Sequence, residues 1–199
     1  MTLTIGILVF DDAEELDFVG PWEVFKMARE AEPREFELLL VAEKDAPVRC
    51  RGGMRILPDV TTARAPKLDV LLVPGGQGTR REVENKGLLD WIAGVARSAQ
   101  WVTSVCTGAM LLTAAGPAKG KKVTTHWAFV ENLRMRGEAA EVLDNFRYVR
   151  DGNVVTAAGV SAGIDMALWL VGQWKGPEFA RQVQKNMEYD PVPPYSGLT

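Results

Sequence analysis

The chain has 199 residues, of which 47% are hydrophobic and 25% charged, as is typical of a globular domain that can bury a full core. Its formal net charge is −3 and its basic clusters are short, which argues against a nucleic-acid partner. No segment has the composition of a secretion signal or the length of a membrane span, so we expect a cytoplasmic protein without a membrane partner.

The first part of the chain predicts two strands, a helix and a hairpin. Residues 2–10 form an apolar run that is typical of a strand buried on both faces. Residues 16–31 carry apolar side chains at helical spacing, which predicts a helix with Pro21 at its first helical position. A second strand is predicted over 36–43, and a Gly-Gly pair indicates a hairpin turn within 48–61.

The middle of the chain continues with alternating strands and helices. Residues 68–76 predict a buried strand that ends in a Pro-Gly-Gly loop. An amphipathic helix is predicted over 80–99, followed by a strand over 100–105. The next helix is predicted over 107–115, where a Gly-Pro pair ends it.

The last part of the chain predicts a short strand, a hairpin and three helices. The strand is expected over 122–127 and is followed by a helix over 128–137. Residues 146–159 predict a hairpin with Asp-Gly at its turn. The remaining helices are predicted over 162–174 and 177–189, before a proline-rich tail.

The order of these elements indicates the fold class. Strands that alternate with helices are typical of an α/β domain with a mostly parallel sheet, and no linker divides residues 1–199, so we predict one domain. Ligands bind such sheets beyond the carboxyl ends of the strands. Asp17, the loop at 74–76 and Cys106 each follow a predicted strand, so we expect them to converge.

Cys106 lies between a predicted strand and a predicted helix, in the stretch Ser-Val-Cys-Thr-Gly. Hydrolases use such a tight turn to present a nucleophile, and the amino terminus of a helix lowers the pKa of a thiol. The alternative is an inert buried thiol, which is what most cysteines are. Cys50 lacks this context, and we expect it to be structural or exposed.

Four motifs, taken together, resemble the ThiJ/PfpI superfamily of class I glutamine amidotransferase-like proteins. They are LLVPGG, TSVCTGAMLL, TTHW and AGVSAGIDMAL, and adding LDFVGPWEV and YDPVPPY makes the chain most similar to the isonitrile hydratase branch. The resemblance implies a flavodoxin-like three-layer sandwich with helices on both faces of the sheet. It also implies a homodimer and a small-molecule substrate. No cofactor is needed, and two scattered cysteines and one histidine suggest no metal site.

The resemblance also implies roles for particular residues. Cys106 corresponds to the reactive cysteine and Asp17 to the neighbouring carboxylate, whose alternative role is a helix amino-terminal charge. Backbone amides of Gly75, Gly76 and Thr107 correspond to an anion pocket. Relatives that act as proteases or amidases carry a histidine where Thr107 stands, so that activity is disfavoured here.

The substrate pocket is expected to include His126, Trp127 and Val160. In some relatives a histidine at this motif lies near the cysteine, whereas a histidine that ends a strand is more often held by a local hydrogen bond. The aromatic side chains of Trp127, Trp22 and Tyr195 are most simply explained by packing in the core or in a dimer, although a large apolar pocket could use some of them.

The resemblance favours a hydro-lyase that hydrates an isocyanide to an N-formamide. Cys106 would form a thioimidate, with Asp17 as general acid and base. One alternative is a glyoxalase or deglycase acting on small reactive carbonyls with the same groups. Another is a redox-sensing or stress-sensing protein without robust turnover, because a cysteine of low pKa is readily oxidised.

Overall fold

The structure is a computed structural model that describes residues 2–191, so the role expected for Tyr195 lies outside the described residues. The strands are β1 Leu3–Leu8, β2 Phe36–Ala42, β3 Val48–Arg49, β4 Arg55–Ile56, β5 Val60–Thr61, β6 Val70–Val73, β7 Trp101–Val105, β8 Lys122–Val123, β9 Glu141–Val142, β10 Tyr148–Asp151 and β11 Val154–Ala157. The helices are α1 Glu15–Ala31, α2 Thr79–Glu82, α3 Lys86–Ala96, α4 Gly108–Ala115, α5 Val130–Met135, α6 Ala162–Lys175 and α7 Pro177–Asn186, with a 3-10 helix at Trp127–Phe129.

Seven strands form one sheet in the order β10-β11-β7-β6-β1-β2-β5. Every neighbouring pair in this sheet is parallel except β10 and β11, which form the predicted antiparallel hairpin. The central strand β6 is buried along its whole length, as expected for a strand covered on both faces. The prediction of a mostly parallel sheet is therefore confirmed.

The helices form two layers, one on each side of the sheet. Helices α1, α6 and α7 pack against one another, and α1 also contacts β1 and β2. Helix α4 packs against α2 and α3, and it contacts β6 and β7. This is the three-layer, flavodoxin-like sandwich that the resemblance implies.

Two helix predictions are wrong in detail. The segment 80–99 contains two helices, because the chain leaves α2 after Glu82 and the Asn85 side chain then accepts a hydrogen bond from the Leu88 N–H to begin α3. Pro21 lies inside α1 and not at its first helical position, because the helix already begins at Glu15. The acidic side chains of the first turn are those of Glu15 and Asp17.

The predicted strand at 122–127 is also shorter than expected. Only Lys122–Val123 pairs with another strand, and its partner is β9 in a separate two-stranded sheet. The chain then turns, and His126 precedes the 3-10 helix. Within residues 2–191, no helix combines the length and the apolar composition that crossing a bilayer requires.

Candidate functional site

Cys106 follows β7 at the carboxyl edge of the sheet and has a φ of 56°, in the left-handed region. Its N–H donates to the carbonyl oxygens of Ala157 and Ala158, at 3.1 and 2.9 Å. Its own carbonyl accepts a hydrogen bond from the Thr125 hydroxyl at 2.8 Å. A non-glycine residue in this region costs on the order of 1 kcal/mol, so these contacts hold a strained turn in place.

Asp17 lies in the first turn of α1 and is fully buried. Its Oδ2 accepts a hydrogen bond from the Gly75 N–H at 2.8 Å. Its Oδ1 is buried and has no hydrogen-bond partner among the described residues. The Cys106 thiol and the Val160 N–H lower the pKa of this carboxyl group. The structure therefore brings Asp17 and Cys106 together, although they are far apart in the sequence.

Burial raises the pKa of Asp17 from 3.8 to about 7, because a carboxylate loses its hydration inside the protein. The Gly75 N–H opposes this shift by favouring the ionised form, and the nearby charge of Glu14 adds to it. Asp17 can therefore gain and lose a proton near neutral pH. That property suits a general acid and base.

Burial also raises the pKa of Cys106 from 9.0 to about 12, and the negative charge of Asp17 raises it further. The N–H groups of Thr107 and Val160 lower it but do not outweigh burial. The position of Cys106 before a helix predicted a lowered pKa for its thiol. That prediction is wrong, because burial raises the pKa. Two neighbouring anions are unfavourable here, so the pair carries at most one negative charge near neutral pH.

The amides of the predicted anion pocket are largely engaged by protein groups. The Gly75 N–H donates a hydrogen bond to the Asp17 carboxyl group, and the Gly76 N–H donates one to the Thr107 hydroxyl at 3.0 Å. A side chain at Gly75 would place a Cβ 2.5 Å from the Thr107 nitrogen, so only glycine allows this close approach. The N–H groups at the sulfur are those of Thr107 and Val160.

Val160 is a second strained residue of the site. Its φ of 48° is unusual for a β-branched side chain, which rarely occupies the left-handed region. Its N–H lowers the pKa of both Cys106 and Asp17. The sequence suggested Val160 only as a wall of the substrate pocket, and its backbone contribution depends on the fold.

His126 is held by a local hydrogen bond. Its Nδ1 accepts from the Ala128 N–H at 3.2 Å, and its ring packs so closely on Gly159 that an added Cβ there would lie 2.2 Å from His126 Cδ2. Among the described residues no hydrogen bond joins His126 to Cys106. Of the two alternatives for this histidine, the structure favours the local one.

Trp127 does not pack in the core, because 81% of its surface is exposed. It borders a cavity of about 400 Å³ together with His126 and Val160, the other two residues predicted for the substrate pocket. Trp22 is half-buried and packs against the core. Of the roles expected for Trp127, packing in the core is therefore wrong, and packing in a dimer and lining a pocket stay predictions.

Sequence reasoning missed Thr79 and Arg80. The Thr79 hydroxyl donates to the Gly76 carbonyl at 2.8 Å, and the Arg80 guanidinium donates to the same oxygen at 2.9 Å. The guanidinium also lies 4.7 Å above the centre of the Phe129 ring. The only signal available was that both residues lie a few positions after the Pro-Gly-Gly loop.

The chain is similar to several known proteins. A sequence profile of the DJ-1/PfpI family matches residues 4–173. The chain is 42% identical over 197 residues to an isonitrile hydratase of Pseudomonas putida, covering 99% of this chain and 83% of that protein. It is 25% identical over 179 residues to the glutathione-independent glyoxalase DJR-1.2 of Caenorhabditis elegans, covering 89% and 91%.

A solved structure shares the whole fold. The crystal structure of a ThiJ/PfpI family protein from Pseudomonas syringae superimposes with a TM-score of 0.88 at 33% sequence identity. The match covers 100% of this chain and 80% of that one.

Proposed function

Since the chain belongs to the DJ-1/PfpI family, we propose that it is a cysteine-dependent hydro-lyase that hydrates an isonitrile to an N-substituted formamide. The observation that carries this proposal is the buried pair formed by Asp17 and Cys106. A carboxyl group with a pKa of about 7 faces a thiol on a strained turn. The 42% identity to an isonitrile hydratase supports the choice of reaction.

In the first step, the Cys106 sulfur attacks the terminal carbon of the isonitrile. The thiol proton passes to the Asp17 carboxylate, which delivers it to the same carbon. The S–H bond breaks and C–S and C–H bonds form, so the product is a thioimidate on Cys106. A single carboxyl group can take and return this proton because its pKa is near neutral.

In the second step, the Asp17 carboxylate removes a proton from water as the water oxygen adds to the thioimidate carbon. The substrate nitrogen receives that proton. The C–S bond then breaks as the carbonyl forms, the sulfur leaves with the bonding electrons, and the hydroxyl proton returns to it through Asp17. One isonitrile and one water give one N-substituted formamide.

The two N–H groups at the sulfur contribute when the sulfur is negatively charged. Those of Thr107 and Val160 lower the pKa of Cys106, which means that they stabilise the thiolate. Negative charge on sulfur rises as the thiol proton leaves and again as the C–S bond breaks. Fixed N–H groups lower the energy of such states because they need no reorganisation.

The test follows the conversion of para-nitrophenyl isocyanide to the formamide by absorbance. We expect wild-type turnover, none in Cys106→Ala, and a fall of about 10²–10⁴-fold in Asp17→Asn. Cys50→Ala is the matched control, because Cys50 is equally a buried free thiol but lies outside the site. It should retain the wild-type rate. Turnover that persists in Cys106→Ala would disprove the proposal.

Small reactive carbonyls are the second candidate substrates, favoured by the similarity to a glyoxalase. The Cys106 sulfur would add to an aldehyde carbon, and the oxygen would take the proton to give a hemithioacetal. Consumption of methylglyoxal without isonitrile turnover would identify this activity. Turnover of neither, with oxidation of Cys106 by peroxide detected by mass spectrometry, would favour a sensing role.

A further inference from the structure

Two exposed aromatic side chains border the same cavity. Trp127 is 81% exposed and Phe146 is 54% exposed, and both line the cavity of about 400 Å³. They come from separate segments, one from the 3-10 helix and the other from the loop before β10. Large aromatic side chains that converge on a concave surface are typical of a site for an apolar ligand.

Three residues of the cavity wall lie next to Cys106. The Thr125 hydroxyl donates to the Cys106 carbonyl, and the Ala158 carbonyl accepts from the Cys106 N–H. The Val160 N–H lowers the pKa of the Cys106 thiol. Because Thr125, Ala158 and Val160 all line the cavity, the cavity adjoins the turn that carries Cys106.

The framework around Phe146 is also fixed. The next residue, Arg147, donates from its guanidinium to Asp165 and to the Ser161 hydroxyl. Its carbonyl accepts a hydrogen bond from the Ala158 N–H at 2.9 Å. These contacts connect the segment carrying Phe146 to the start of α6. The aromatic side chains are therefore presented by anchored backbone, which lowers the entropic cost of binding a ligand.

We propose that the cavity between Trp127 and Phe146 holds the N-substituent of the substrate and selects aryl isonitriles over small alkyl ones. This inference rests on the proposed function. An isonitrile is linear, so when its terminal carbon meets the Cys106 sulfur the substituent projects away from the thiol. Aromatic rings gain from contact with other rings beyond the area they bury, whereas an ethyl group gains little.

The first test compares para-nitrophenyl isocyanide with ethyl isocyanide as substrates. In Trp127→Ala, kcat/KM for the aryl substrate should fall about 10-fold, mainly through KM, while that for the ethyl substrate changes less than about 2-fold. Trp127→Phe should keep most of the aryl preference. Leu57→Ala removes an exposed side chain that does not line the cavity, so it should change neither value.

Two kinetic results would overturn the inference. One is a wild-type enzyme that does not prefer the aryl substrate. The other is an equal loss for both substrates in Trp127→Ala, which would mean that Trp127 only supports the neighbouring His126 ring, whose centre is 5.6 Å from its own.

A binding measurement separates failure of this inference from failure of the proposed function. N-phenylformamide should bind Cys106→Ala by calorimetry, and adding Trp127→Ala should weaken this binding about 10-fold. Binding that depends on Trp127 without isonitrile turnover would refute the reaction but keep an aryl site. Turnover without any dependence on Trp127 would refute only the aryl site.

A second copy of the chain is the rival occupant of this surface. Iodide quenching of tryptophan fluorescence, compared between wild type and Trp127→Phe, reports the exposure of Trp127. Quenching that N-phenylformamide suppresses supports the inference. Protection of Trp127 without ligand, increasing with protein concentration, would overturn it.

Discussion

Asp17 lies fully buried at the start of α1, with its carboxyl group between the Gly75 amide and the Cys106 sulfur. A buried carboxyl group with one unpartnered oxygen lowers the stability of the fold, because its hydration is only partly replaced. No cationic side chain is among the groups that shift its pKa. A buried titratable group that lowers stability in this way is typical of a catalytic residue.

The pKa of Asp17 predicts how stability changes with pH. Its folded-state pKa of about 7 exceeds the ordinary 3.8, so between these values the folded protein holds a proton that the unfolded chain releases. Stability from this group is therefore present at low pH and is lost as pH rises towards 7. Asp17→Asn should be more stable than wild type by up to about 4 kcal/mol at about pH 8, and equal to it at about pH 4. Urea denaturation at both values measures this.

Asp151→Asn is the control of opposite sign. The Lys122 N–H lowers the pKa of Asp151, so its carboxylate stabilises the fold at neutral pH and loses that effect in acid. Asp151→Asn should therefore be less stable than wild type at neutral pH. A destabilised Asp17→Asn at about pH 8 would contradict the shifted pKa of Asp17.

At the scale of elements, the amino terminus of α4 lies against the loop after β6 without room for side chains. A Cβ at Gly108 would lie 2.2 Å from the Val73 carbonyl oxygen. A Cβ at Gly75 would meet the Thr107 nitrogen at 2.5 Å and Asp17 Oδ2 at 2.9 Å. Two glycines thus allow β6, α4 and α1 to place their functional groups within hydrogen-bond distance.

Gly75→Ala tests this close approach. Because the obstructing atoms include backbone, we expect a loss of about 1–3 kcal/mol in the free energy of unfolding. The loop must shift away from Asp17, and a displacement of about 1 Å can reduce turnover about 10²-fold. Denaturation and isonitrile hydration measure the two effects.

Gly94→Ala is the matched control inside α3. Its Cβ would meet only the end of Arg97, at 3.6 Å, so the substitution should leave turnover unchanged and raise stability by up to about 1 kcal/mol. If both variants had the same turnover and the same stability, the close approach of Gly75 to Thr107 and Asp17 would not be required for either property.

At the scale of the whole molecule, apolar side chains are exposed on neighbouring segments. Leu16 in α1 and Met54 in the β3–β4 hairpin are 38% and 45% exposed. The Gly52 N–H donates to Glu15 at 2.7 Å, so the hairpin lies against the start of α1. Exposed apolar side chains on adjoining segments favour association. We propose a homodimer through this surface.

Sedimentation equilibrium tests the dimer. The expected mass is about twice the 21.8 kDa of one chain, and Leu16→Glu should shift the equilibrium towards monomer because it would bury a charge. Met135→Glu places the same charge at an exposed position in α5 and should leave the mass unchanged. A monomer at every concentration would contradict the proposal.

Local sequence patterns predicted much of the fold. Apolar runs identified β1, β2, β6 and β7, and the Asp-Gly pair identified the β10–β11 hairpin, because burial on both faces and tight turns each need particular residues. The break between α2 and α3 was missed because it depends on a side-chain cap and not on hydrophobic periodicity. The 3-10 helix after His126 was missed because its apolar residues are equally compatible with a strand.

The sequence by itself determined the fold class, the place of Cys106 at the end of a strand and its expected neighbour Asp17, because strand order and turn chemistry are written locally. Only the tertiary structure decided the pKa values and the hydrogen bonds of the site. Burial raises the pKa of both groups, the Gly75 and Gly76 amides are engaged, and the Val160 N–H lowers the pKa of the Cys106 thiol. These properties depend on dehydration and on distances between segments far apart in the chain, and no local pattern encodes either.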